Sequence, residues 1–310
     1  MQDGGQGLTA NGASGGDEFR GHPKGLYVCF LTEMWERFSY YGMRALLIFY
    51  LTRHFLLSDQ QSFAIFGAYA SLVYAAPVIG GLLADRYLGF RKAVTLGAVL
   101  LVIGHFGMAM EGAGAVERIA ADGSTVIERD TYFLQIMYLS LAFIAIGVGF
   151  LKPNISTIVG ALYEQNDPRR DSAFTIFYMG INVGAVSASL LCGYLGETYG
   201  WQYGFGLAGI GMVFGLIIFL RGKKYLKGHA EPRDPDLLKA RLFAGLSREH
   251  VIYLGSLLAV AVSWYLIQNN AYIGQLLGGF GAIVLTGIIA FSLLKCTGTE
   301  RDRMFVALLL

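Results

Sequence analysis

Long uninterrupted apolar runs recur along this chain, and nothing else in it restricts the fold as severely. The stretch from Phe205 to Leu220 holds no charged or amide side chain at all. A helix needs about 20 such residues to cross the ~30 Å hydrocarbon core of a bilayer. Inside that core each backbone polar group must find its partner within its own segment, so the runs fold as helices. Spans are expected at 25–52, 62–86, 92–111, 132–163, 172–196 and 203–221, followed by two more at 250–268 and 273–295. A ninth is expected from Met304, and the chain stops inside it at Leu310, which reads as a fragment of a longer protein. Composition agrees: 55% of residues are hydrophobic and 15% charged, against about 25% charged in soluble domains. The fold class expected is an all-α polytopic membrane protein.

The loops set an orientation. Basic residues follow the second, fourth and sixth spans: Arg86, Arg91 and Lys92, then Arg169 and Arg170, then Arg221, Lys223, Lys224 and Lys227 among others. The segment 111–130 is acidic instead, with Glu111, Glu117, Asp122, Glu128 and Asp130. The positive-inside rule then places the N-terminus in the cytoplasm. The chain divides into a polar Gly-rich tail at 1–24, expected to be disordered, and a six-helix bundle at 25–221. A basic cytoplasmic linker at 222–249, two additional helices at 250–295 and the truncated start of a further bundle at 296–310 follow. Basic residues here follow topology, and the net charge of +2 gives no reason to expect nucleic acid as a partner. Cys29, Cys192 and Cys296 are odd in number and far apart, which gives neither a disulfide framework nor a metal site.

The first span breaks the apolar rule. Within EMWERFSYYGMRALLIFY lie Glu33, Glu36, Arg37 and Arg44, each costing about 2.5–3.5 kcal/mol at a helix centre on insertion scales. At 100° per residue these four, with Tyr40 and Tyr41, share an arc of about 140°. Trp35, Phe38, Leu46 and Phe49 lie on the other side, the face expected to meet lipid. The charges either fix packing as interhelical ion pairs or form a functional site, and the cost of burying them favours the second. Two carboxylates beside one Arg should differ in proton affinity, which makes a proton site.

E-x-x-E-R-F-x-Y-Y-G, present as Glu33 to Gly42, resembles the first-helix signature of the proton-coupled oligopeptide transporters, a family of the major facilitator superfamily. Residues 80–92, GGLLADRYLGFRK, resemble the cytoplasmic signature of the superfamily. Gly81 is expected there to allow close helix approach, with Asp85 and Arg86 in a conformational role. LKPNIS at 151–156 resembles the family's fourth-helix motif. Lys152 is twelve residues before Glu164, about 18 Å along a helix, too far to snorkel to the loop. It is therefore expected to be buried and to pair with Glu33 or Glu36, and Pro153 is expected to kink the helix. FYMGINVG at 177–184 resembles the fifth-helix motif containing Asn182.

The resemblance implies a major facilitator bundle and proton-coupled symport of di- and tripeptides across the bacterial inner membrane by alternating access with a C-terminal six-helix bundle. It implies proton coupling at Glu33, Glu36, Arg37 and Lys152. Substrate contacts would come from Arg44, Tyr40, Tyr41, Tyr74, Lys152 and Asn182. The proton is the coupling ion and no cofactor is expected. Gly67 stands where animal members carry a His linked to protonation, which leaves the coupling to the glutamates. His105 is expected to pack against a backbone carbonyl, and Tyr69 and Tyr178 to serve packing. Relatives that move nitrate or peptide-like drugs supply the alternative substrates. An intramembrane enzyme would need a Ser–His pair or two facing Asp residues, and the spans offer neither.

Overall fold

The computed structural model describes residues 18–243, 245–298 and 303–304. Six long helices run α1 (Lys24–Phe49), α2 (Asp59–Leu83), α3 (Phe90–Met108), α4 (Thr131–Ala161), α5 (Arg169–Tyr199) and α6 (Trp201–Gly222). After a short α7 (Pro235–Lys239) come α8 (Arg248–Gln268) and α9 (Asn270–Lys295), which turn at Asn269. Single π-helical segments continue α1 through Tyr50–His54 and α2 through Ala84–Leu88. Among the described residues six helices are long and apolar enough to span a membrane: α2 to α6, and α8. α1 fails that test because its charges interrupt every window long enough to span. Its other residues are as apolar as a span requires.

Capping explains several boundaries. Ser58 opens α2 with a capping box closed by Gln61, Asp130 accepts from the amides of Tyr132 and Phe133, and Ser247 accepts from that of His250. Each satisfies amides that a helix start leaves unpaired. The α6 start is served from a distance, since Glu111 accepts from the Gln202 amide at 2.8 Å. The acidic segment that holds Glu111 continues into an antiparallel hairpin, β3 (Val116–Ile119) with β4 (Thr125–Glu128).

Small residues let the helices meet backbone to backbone, as membrane packing demands where lipid is as apolar as leucine. A Cβ on Gly97 of α3 would lie 2.6 Å from the Gly147 carbonyl oxygen of α4. Between α2 and α4 the close contact belongs to Gly80, not to Gly81 as the sequence suggested. A Cβ at Gly80 would collide with the Gly149 carbonyl, whereas one at Gly81 would rest 3.6 Å from Pro153, an ordinary contact. Pro153 supplies the cause: lacking an N–H, it leaves the Gly149 carbonyl without its intrahelical donor, and the bare Cα of Gly80 sits against that oxygen. Pro153 lies inside a continuous α4.

α1 occupies the centre, packed on α5, α6 and α4. The expectation of a lipid-facing side for α1 is therefore corrected. Phe38 and Leu46 are buried, Leu46 sits over Gly196 and Gly204, and Trp35 meets Phe214 of α6 at 5.3 Å between ring centres. Phe49 is exposed. An apolar face cannot by itself distinguish lipid from a neighbouring helix.

One further expectation changes. Part of the expected disordered tail is ordered: β1 (Glu18–Phe19) pairs with β2 (His22–Pro23), and the ring of His22 bonds the Tyr163 hydroxyl at 2.8 Å. Residues 1–17 lie outside the described residues, as does the expected ninth helix beyond Met304. The linker 222–249 holds a 3-10 turn at Lys223–Leu226, α7, and β5 (Arg241–Phe243) paired with β6 (Leu246–Ser247). It docks on the α2–α3 junction. The amide of Arg91 donates to the Ala230 carbonyl at 2.8 Å, and a Cβ on Gly89, at φ +75°, would run into the backbone of Pro232.

Candidate functional site

The site begins with three charges on two turns of α1. Glu33, Glu36 and Arg37 are all buried, at 2%, 0% and 4% exposure. Arg37 is bidentate to Glu36, with Nε donating to Oε2 and Nη2 to Oε1. Its Nε also lies 3.4 Å from Oε1 of Glu33, one turn back. The planar fork of a guanidinium suits a bidentate carboxylate. Tyr40 extends the cluster, its ring centre 4.9 Å from the Arg37 guanidinium carbon. The other carboxylate oxygen of Glu33 is buried with no hydrogen-bond partner among the described residues. Glu36 is thus fully engaged, and Glu33 holds an unused acceptor.

Lys152 departs from expectation. It is half-buried and makes no ion pair among the described residues; its ammonium lies 5.7 Å from the Tyr74 ring centre, a cation–π contact. Its charge nevertheless reaches Glu33. The sequence reading expected direct pairing. Arg37 already occupies both glutamates, which removes the need for a second cation in contact.

The remaining candidates fall around this cluster. Tyr40 lies within electrostatic reach of Arg44, Arg37 and Tyr74, so residues of α1 and α2 converge there. Tyr41 packs edge-to-face on Tyr40 at 5.3 Å. Arg44 is exposed and lies over the Phe66 ring at 5.6 Å, and Tyr74 is 69% exposed. Asn182 is exposed on α5 and, among the described residues, donates only to the Tyr178 carbonyl of its own helix, at 3.3 Å. Tyr178, expected to pack, is 56% exposed instead. Tyr69 is fully buried as expected, with its hydroxyl unbonded among the described residues. His105 is buried, and neither ring nitrogen has a hydrogen-bond partner among the described residues. Gly67 faces open space. No group of three metal-ligating side chains occurs among the described residues.

Comparisons with known proteins bear on the family of the whole chain. The family model described as the POT family (PTR2) matches residues 91–244. A peptide transporter of Yersinia enterocolitica is 42% identical over 216 residues, 68% of this chain and 39% of its own length. A di-/tripeptide transporter of Lactococcus lactis is 35% identical over 281 residues, 87% of this chain and 51% of its own length. A crystal structure of a peptide transporter POT with sulfate superposes with a TM-score of 0.68 at 36% identity, over 93% of this chain and 56% of that one. The chain belongs to the POT family. It spans about half the length of the curated relatives it matches.

Within this POT-family bundle, the major facilitator fold also positions the motif at residues 80–92. Asp85 accepts from Arg233 of the linker at 2.5 Å, and Arg91 holds Glu231 with two bonds. The bonds from Arg91 keep the Glu231 carboxyl below the usual carboxylate range. Arg86 is exposed. Sequence reasoning missed Arg233 as the partner of Asp85, since nothing in a linker's spacing encodes where it docks. It also passed over Asn154, whose amide donates to the Phe150 carbonyl at 2.6 Å and lies 3.5 Å from that of Gly80. The only signal for it was its place beside Pro153, where a helix needs spare donors.

Proposed function

We propose that this chain is the N-terminal half of a proton-coupled symporter that carries di- and tripeptides into a bacterial cytoplasm. It would work by alternating access with a second six-helix bundle, in the inner membrane, with the N-terminus cytoplasmic. The observation that carries the reading is the wholly buried Glu33–Glu36–Arg37 cluster with the charge of Lys152 in reach of it. A membrane helix retains such groups for function far more often than for packing. The names of the relatives, a peptide transporter and a di-/tripeptide transporter, support the substrate class.

Each residue then has a role. Glu33, Glu36 and Arg37 hold the coupling proton. Lys152 and Arg44 receive the peptide carboxylate, the strong contact a cation offers an anion. Tyr40, Tyr41 and Tyr74 donate to that carboxylate or to the peptide amide, and Asn182 holds the backbone or the amino end.

The deciding experiment uses the full-length protein in proteoliposomes and follows labelled dialanine with and without an inward proton gradient. Uptake is expected to rise with the gradient. Glu33→Gln and Glu36→Gln are expected to lose gradient-driven uptake and to keep some peptide exchange. Uptake in both variants that still tracks the gradient overturns the proton role. Absence of dialanine uptake by the wild type overturns the substrate class.

A further inference from the structure

A cavity of about 290 Å³ lies between α2, α4 and α8, away from the α1 cluster. Its walls are apolar, with Ala76 and Ile79 from α2, Phe150 from α4, and Ile252, Gly255 and Ala259 from α8. The one hydroxyl in the wall among the described residues, that of Ser256, is spent on the Tyr253 carbonyl at 2.7 Å. The groove therefore offers nothing to a peptide amide. It runs on into a second hollow that shares Leu83, Val251 and Ile252 and adds Tyr87 and Arg248.

Charge sets the two ends apart. Near the mouth the acids are already engaged: Asp85 by Arg233, Glu231 by Arg91, and Glu249 by Lys92 and the Tyr253 hydroxyl. Arg86 and Arg248 make no ion pair among the described residues. Arg248 also opens α8, where the positive end of the helix dipole adds to its charge. An apolar slot between membrane helices whose mouth holds Arg248, a cation with no ion pair among the described residues, matches one kind of molecule.

We propose that this groove is a binding site for an anionic phospholipid, with an acyl chain between α2, α4 and α8 and the phosphate at Arg248 and Tyr87. Carbon walls take the chain, and the cationic mouth selects the charge of the headgroup. The lipid would bridge α8 to the bundle on which it packs.

The test is native mass spectrometry of the full-length, delipidated protein titrated with dioleoyl phosphatidylglycerol or dioleoyl phosphatidylcholine. The wild type is expected to retain one phosphatidylglycerol in preference to phosphatidylcholine. Arg248→Gln is expected to weaken the anionic lipid by about fivefold, the factor that matches one cation near a membrane surface, and to leave phosphatidylcholine unchanged. Arg248→Lys should keep most of the preference, which separates lost charge from misfolding. Gly255→Leu should weaken both lipids, because a Cβ there points into open space and fills the slot without touching backbone. Equal retention of the two lipids by the wild type overturns the proposal. So does an Arg248→Gln variant with unchanged preference, retention of detergent alone, or a lipid-free pair of copies. The readout involves no transport, so it stands apart from the symport reading.

Discussion

Glu33 and Glu36 look interchangeable in sequence, yet their contacts predict unequal costs of removal. Glu36→Gln takes away the bidentate partner of a buried guanidinium. Breaking such a pair from one side costs about 3–5 kcal/mol, because the remaining charge stays buried. Glu33 stands 3.4 Å from Arg37 and supplies part of the missing charge, so the lower end of that range is expected. Glu33→Gln removes only the longer contact and leaves the bidentate pair whole, at a cost of about 1 kcal/mol. Each glutamate covers for the other, so the double variant should lose more than the two single losses added, by about 0.5–3 kcal/mol. Titration with dodecyl sulfate in mixed micelles, followed by tryptophan fluorescence, measures all three. Trp35 lies on α1 itself, one of three tryptophans in the chain. A Glu33→Gln variant as damaged as Glu36→Gln, or strict additivity, would refute the division of labour read from the contacts.

Other expectations follow from single contacts. Gly80→Ala places a Cβ against the Gly149 carbonyl and should cost about 1–3 kcal/mol from overpacking, whereas Gly81→Ala, with Pro153 at 3.6 Å, should be neutral or mildly stabilising; the same detergent titration compares them. Arg233→Gln frees the linker from Asp85. Because that pair is exposed, its loss should change stability by less than about 1 kcal/mol while raising amide exchange across 229–240. The Glu231 carboxyl is held below the usual range by its bonds to Arg91, so its contribution is complete above about pH 4.3 and is lost as pH falls through the lowered value. Linker protection against exchange should therefore be level from pH 7 to 5 and fall only in stronger acid; loss already at pH 6 would contradict this.

The spans were legible because the bilayer imposes a length, and the motifs because charges inside such lengths are rare. Ser58, Asp130 and Ser247 begin helices that were placed from apolar pattern alone. What the sequence hid was contact between elements. Phe38 and Leu46 read as lipid-facing, since the energy that separates inside from outside in water is nearly absent between lipid and a neighbouring helix. Gly80 and Gly81 are adjacent and identical in type, and only the carbonyl freed by Pro153 decides which one must lack a side chain. The α1 cluster could be read as one face, because its members share a helix and their spacing is fixed. Lys152, on another helix, could not be paired by spacing, and the expected ion pair with a glutamate gave way to the Tyr74 ring.

That last difference bears on the coupling proposed above. Counting Glu33, Glu36, Arg37 and Lys152 with both carboxylates ionised, the formal charge is zero. One bound proton makes it +1, and the surplus is least compensated at Lys152, which has a ring for company and no carboxylate in contact. Arg44, exposed beside Tyr40, adds a further cation on the same side. A peptide carboxylate arriving there restores the balance, so proton and peptide each make the other less costly to bind, and linkage requires that the help be equal in both directions. No contact between Lys152 and the glutamates has to break for this, only a charge in reach of them. The Lys152→Gln variant separates the two pictures. It should weaken peptide binding at every pH and lessen the dependence of peptide affinity on proton concentration. If a broken ion pair only gated the helices, with Lys152 making no contact to peptide, that variant would mimic the protonated state and bind peptide more tightly at high pH. Isothermal titration with dialanine at pH 6 and pH 8 reads the sign directly.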